Sequence, residues 1–197
     1  MGKLYSISTV VCFGALLFIG ACTSTPPAGR VAVDTYAHLS PVDVNVASIE
    51  IYDDYIPPMT GPNIEHEMIN PPYRAAYNMI NNAFKSTSPN NTLEFHIRDG
   101  SVKMERIADN QSSFKIWQRQ TLRKYTGRLH LDIVLLKSVP PYEQIGAGTV
   151  KVRREMTTPE SLSVAEREEA INQMSENMIS DLRQGIRDVL DKKLNLL

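Results

Sequence analysis

The residue best suited to covalent chemistry in this chain is Cys22, which follows Ile19-Gly20-Ala21 at the end of an apolar run. A cysteine thiolate is the strongest nucleophile among the side chains. The four histidines offer less. His38, His66, His96 and His130 have no spacing that pairs them with a recognisable serine and aspartate, and the chain contains no Gly-x-Ser-x-Gly. Glu65-His66-Glu67 sets three metal-ligand types side by side, but adjacent side chains diverge and no His-Glu-x-x-His spacing is present. The 22 acidic residues are too dispersed to nominate a catalytic pair. These patterns nominate no catalytic residue, no metal ligand and no cofactor. A hydrolase whose site is assembled only in space stays open.

The position of Cys22 is more informative than its reactivity. Lys3 supplies a positive charge, and Val10 to Ile19 form a nearly unbroken apolar run. Ten helical residues span about 15 Å, half of the bilayer's hydrocarbon core, so the run reads as the apolar region of an export signal and not as a spanning helix. With two small residues directly before the cysteine, Leu16-Leu17-Phe18-Ile19-Gly20-Ala21-Cys22 resembles the lipobox of bacterial lipoproteins. That resemblance implies a diacylglycerol thioether on Cys22, cleavage after Ala21 and acylation of the new amino terminus. Residues 1–21 would then be the signal peptide, and Cys12 would leave with it. Several acyl chains anchor firmly where a single chain binds only marginally. By analogy with the enterobacterial sorting rule, the absence of Asp after Cys22 implies delivery to the outer membrane, on its periplasmic face.

A mature chain with one cysteine has no internal disulfide, zinc cluster or thiol catalyst, so its stability must come from a hydrophobic core. A net charge of −1 argues against nucleic acid as a partner. Residues 22–41, beginning Cys-Thr-Ser-Thr-Pro-Pro-Ala-Gly, read as a flexible tether, and residues 42–197 as a single domain.

Within that domain, Val42 to Asp53 is the first strand, although its alternation changes parity near Ala47-Ser48. A Pro-rich stretch follows from Tyr55 to Pro72, long enough to be a functional loop. It is expected to contact a partner through Pro58, Pro62, Asn63 and His66. The first helix starts after Asn70-Pro71-Pro72, with Asn70 able to cap, and carries Tyr73, Tyr77, Ile80 and Phe84 as its apolar stripe. Leu93, Phe95 and Ile97 alternate, and Gly100 permits a turn or bulge before Val102 and Met104 continue the run. Leu129, Leu131, Ile133 and Leu135 mark the clearest strand, Pro140-Pro141 a turn, and Gly148, Val150 and Val152 the last strand.

Between the second and third strands, Ser113 to Arg128 interleaves cations with aromatics, including Trp117, Arg119, Arg123 and Lys124. This segment suits an anionic headgroup or an acidic partner if it is free, and a plain strand extension if it is not. Ser163-Val-Ala-Glu166 forms a capping box, after which Ile171, Met174, Met178, Leu182, Ile186, Val189 and Leu190 keep one helical stripe. Gly185 interrupts that stripe at a place suited to close packing.

The expected fold is a two-layer α+β sandwich, β-α-β-β-β-α, with a mixed four-stranded sheet and both helices on one face. An export signal with Cys, a tether and this topology is similar to the lipoprotein of the lipopolysaccharide translocon. It is equally similar to the auxiliary lipoproteins of lipid-transporting ABC systems. The stretch Pro57-Pro58 through Pro62-Asn63-Ile64-Glu65-His66 also resembles proteobacterial lipoproteins of no assigned function. The resemblance implies a non-enzymatic adaptor or auxiliary subunit of an envelope transport or assembly complex, with the membrane and an envelope protein as partners. A lipid- or glycan-binding module is the alternative.

Overall fold

The alternation that begins at Leu129 extends backwards through Tyr125 to Thr121, so one 16-residue strand carries the whole sheet. A computed structural model describes residues 36–108 and 121–197. Cys22, Trp117 and Arg119, with the signal peptide and most of the tether, lie outside those residues. The elements in chain order are β1 (Val42–Val44), β2 (Ser48–Asp53), α1 (Pro72–Ala83), β3 (Phe84–Ser86), β4 (Thr92–Asp99), β5 (Val102–Ala108), β6 (Thr121–Leu136), β7 (Gln144–Pro159) and α2 (Val164–Lys192).

β6 pairs along almost its full length with β7 on one edge. On its other edge it pairs first with β5 and then with β4, both antiparallel. β4 and β5 therefore share one row, broken at Gly100-Ser101 and bulged between Ile97 and Asp99. β2 adds to β4 in parallel, with α1 making the crossover that parallel neighbours require. The sheet is mixed, as expected, and consists of five strands lying in four rows.

The expected first strand is in fact two. β1 pairs with β3 in a separate parallel ribbon, while β2 joins the main sheet. The parity change at Ala47-Ser48 marks the point where the chain passes from one sheet to the other.

One face of the sheet is apolar. Leu93, Phe95, Ile97, Tyr125, Leu131 and Ile133 are fully buried there against the two helices. The α2 stripe behaves as its spacing predicts, with all seven residues from Ile171 to Leu190 buried. Its capping box is formed: the Ser163 hydroxyl accepts from the Glu166 backbone N–H at 3.3 Å, and the Glu166 carboxylate accepts from the Ser163 N–H at 2.9 Å. Gly185 meets Val150 of β7, so the close packing is of helix on strand. Thr157-Thr158-Pro159 close β7.

α1 packs differently from expectation. Its buried side is Ala75, Ala76, Met79, Ile80 and Ala83, whereas Tyr77 is exposed and Phe84 begins β3. Small alanines let the helix sit close to the sheet, which a stripe drawn through the large aromatics does not register.

Gly100 is the tightest point of that contact. A Cβ there would lie 2.8 Å from Tyr73 Cα and 2.9 Å from Tyr73 N, which are main-chain atoms unable to step aside. Gly100→Ala should therefore lower stability by about 1–3 kcal/mol. At Gly61, where nothing lies within 4 Å, the same change should stay within about 0.5 kcal/mol. Urea unfolding of the processed protein checks both values.

Candidate binding cleft

Proline lacks an N–H and cannot donate to a strand ladder, but its carbonyl can still accept. The stretch from Tyr55 to Pro72 uses this asymmetry. Pro62 O accepts from Met104 N at 2.9 Å, Ile64 N donates to Val102 O at 2.9 Å, and Asn63 bridges Lys103 in antiparallel register. The loop thereby covers the edge of β5, beyond the point where β2 ends. An edge left bare would offer its unpaired groups to other chains.

A buried carboxylate holds the loop in place. Glu65 is fully buried, a costly state for a charge without partners. Its Oε1 accepts from the Tyr55 hydroxyl at 2.5 Å and from Asn63 Nδ2 at 2.9 Å, and its Oε2 accepts from Val102 N at 3.1 Å. Burial and then the Glu65 carboxylate push the Tyr55 hydroxyl well above its ordinary pKa, so it remains a donor. Pinned in this way, residues 64–70 stand as a wall facing the first turns of α2.

Between that wall, the β5/β6 ladder and α2 lies a cleft of about 90 Å³. Its apolar lining includes Met68, Met104, Tyr125 and Ile171; Glu67, Arg167, Glu168 and Asn172 supply polar groups. Asn70 also lines it and is 2% exposed, yet neither its amide nitrogen nor its amide oxygen has a hydrogen-bond partner. Arg123 lines it with a buried Nε that likewise lacks a partner. The outer end of the same guanidinium donates to Glu160 Oε1 at 3.1 Å, and that carboxylate raises the Arg123 pKa further above its ordinary value. Arg123 is therefore a fixed cation whose buried Nε–H is unpartnered.

No family model and no curated protein matches the chain. Among solved structures, a Xanthomonas campestris protein assigned to the DUF330 family model is similar, with 13% identity and a TM-score of 0.41. The match covers 82% of this chain and 94% of that one. A minor lipoprotein from Acinetobacter baumannii is similar at 12% identity and a TM-score of 0.34, over 78% of this chain and 96% of that one.

The residues expected to bind a partner are dispersed. Pro58 and Pro62 are exposed, Asn63 is buried and spends its amide on Glu65, and His66 is half-buried beside Glu67. Arg123 enters the cleft, while Lys124 pairs with Glu155 at 2.8 Å on the β6/β7 ladder. The described part of the basic segment, from Thr121 to Arg128, is a strand extension whose two nominated cations are both paired.

Asn70 does not cap the helix. It stands where a helix cap is expected, but the cap is Pro71 and no side chain caps the helix. Met68, Met104 and Ile171 gave no functional signal, because each fits a core or loop position equally well.

The opposite face of the sheet carries a polar chain. His96 lies 2.9 Å from Asp54 and 3.2 Å from Glu94, and Arg98 joins Asp54 to Asp132 at 2.7 and 3.2 Å. Burial alone would raise the Asp132 pKa, but hydrogen bonds from Thr149 and Arg98 lower it overall. Among the described residues, no group of three or more His, Cys, Asp or Glu is placed to hold a metal ion. These side chains satisfy one another.

The Glu65 clamp can be weighed directly. Tyr55→Phe removes one of three donors from a buried carboxylate and should cost about 1–3 kcal/mol of stability. Tyr52→Phe loses only a hydroxyl contact to exposed Glu50 and should stay within about 0.5 kcal/mol, both read from urea midpoints.

Proposed function

We propose that this chain is a lipid-anchored envelope protein, held through Cys22 at the periplasmic face of the outer membrane. There it acts without catalysis, as an adaptor or auxiliary subunit of a lipid or lipopolysaccharide transport complex or of an envelope assembly complex. The observation that carries this reading is the state of the Pro-rich loop. Its C-terminal half is locked onto β5 through Glu65, while Ile56 is 87% exposed and Met59 is 69% exposed. Two large apolar side chains held in water on an ordered support lose little freedom on docking, and that saving favours association. Ion pairs already occupy Arg123 and Lys124, so the loop ranks above the basic strand as the contact.

The test is photo-crosslinking in intact cells from position 59, with position 85, exposed on β3, as the control. A single discrete adduct from position 59, absent at position 85 and lost with Ile56→Asp, is expected. Cys22→Ser should move the protein out of the membrane fraction and reduce the adduct. Equal smears from both positions, or an adduct indifferent to Ile56→Asp, would overturn the reading.

A further inference from the structure

We infer that the cleft between residues 64–70 and α2 is an anchor pocket for one aliphatic side chain of a partner protein, together with the main-chain N–H and C=O of that residue. This rests on the adaptor reading and adds a second contact beside that of the Pro-rich loop. Three unused hydrogen-bonding groups specify the ligand's chemistry. Asn70 offers an Nδ2–H donor and an Oδ1 acceptor, both buried and unpartnered, and Arg123 offers its Nε–H. The main-chain N–H and C=O of one extended residue are complementary to the first two, since they belong to its two flanking peptide groups and point to the same side of the strand. The next carbonyl on that side, two residues along, would accept from Arg123.

Size decides between a peptide and a lipid chain. An apolar cavity of about 150 Å³ takes a benzene ring, so a cleft of about 90 Å³ takes roughly four non-hydrogen atoms. That is about the isobutyl group of one leucine, and far less than an envelope acyl chain. Charge points the same way. The lining mixes Arg123 and Arg167 with Glu67 and Glu168, a balance that suits a neutral peptide backbone and opposes a polyanionic headgroup. Met68 and Met104 provide an apolar floor that adapts to branched side chains.

The experiment uses the anchored full chain in nanodiscs, with labelled methionine methyls and side-chain amides followed by NMR. The probes are Ac-Gly-Leu-Gly-NH2, Ac-Gly-Lys-Gly-NH2 and decanoate. The leucine peptide should shift the Met68 and Met104 methyls and the Asn70 amide saturably, with the lysine peptide at least about tenfold weaker. Asn70→Leu keeps the shape and removes the unsatisfied groups, so the protein should be no less stable while peptide affinity falls about tenfold. Silence with the leucine peptide, equal binding of the lysine peptide, or equal affinity in folded Asn70→Leu would each overturn the assignment. Saturation by decanoate in place of the peptide would overturn it in favour of an acyl ligand. If the pocket fails while position 59 still yields its discrete adduct, the adaptor reading stands without it.

Discussion

A carboxylate removed from water must find donors, and in this protein the need of Glu65 for three of them shapes the surface. Tyr55, Asn63 and the Val102 N–H converge on it from the loop and from β5. Each donor fixes a separate piece of chain, so satisfying the charge also fixes the path of the loop from Tyr55 to Pro72. The covered edge of β5, one wall of the cleft and the base supporting Ile56 and Met59 all follow from that path. A stretch with five prolines and few regular hydrogen bonds would otherwise have little to order it.

The frame beneath the loop is ordinary two-layer packing with a few narrow tolerances. β6 presents its apolar residues to α1 and α2 and its polar residues to the opposite face, where Asp132 is held by Thr149 and Arg98. Gly100 lets the α1 backbone approach the β4/β5 break, and Gly185 lets α2 settle on β7. The cleft lies where this packing is incomplete: Asn70 and Arg123 sit among apolar side chains with hydrogen-bonding capacity left over. Native interiors seldom leave such groups unpaired unless water or a ligand completes them.

Features encoded by strict periodicity were legible in the sequence. The capping box at Ser163 and the α2 stripe, the alternation in β6 and the Gly100 break all stand where their spacing places them. The parity change at Ala47 was visible, but the move to a second sheet depends on β3, whose Phe84-Lys85-Ser86 has no strand signature of its own. The alanine face of α1 was hidden because small residues contribute little to an apolar pattern yet permit the closest packing. Least legible was the site. A glutamate between an isoleucine and a histidine reads as surface charge, and its burial depends on a tyrosine ten residues earlier and an amide 37 residues later. Asn70 resembled a helix cap for the same reason: local spacing was informative, but its surroundings come from three distant elements.

The central claim is that the loop is a rigid part of the fold before any partner arrives. Amide hydrogen exchange at Ile64 and Met104 tests it most directly, because these N–H groups bond across the seam between loop and strand. Protection approaching that of Leu131 in the centre of β6 is the predicted result. Exchange at the rate of an open loop would contradict it, and with it the idea that Glu65 prepares this surface for binding.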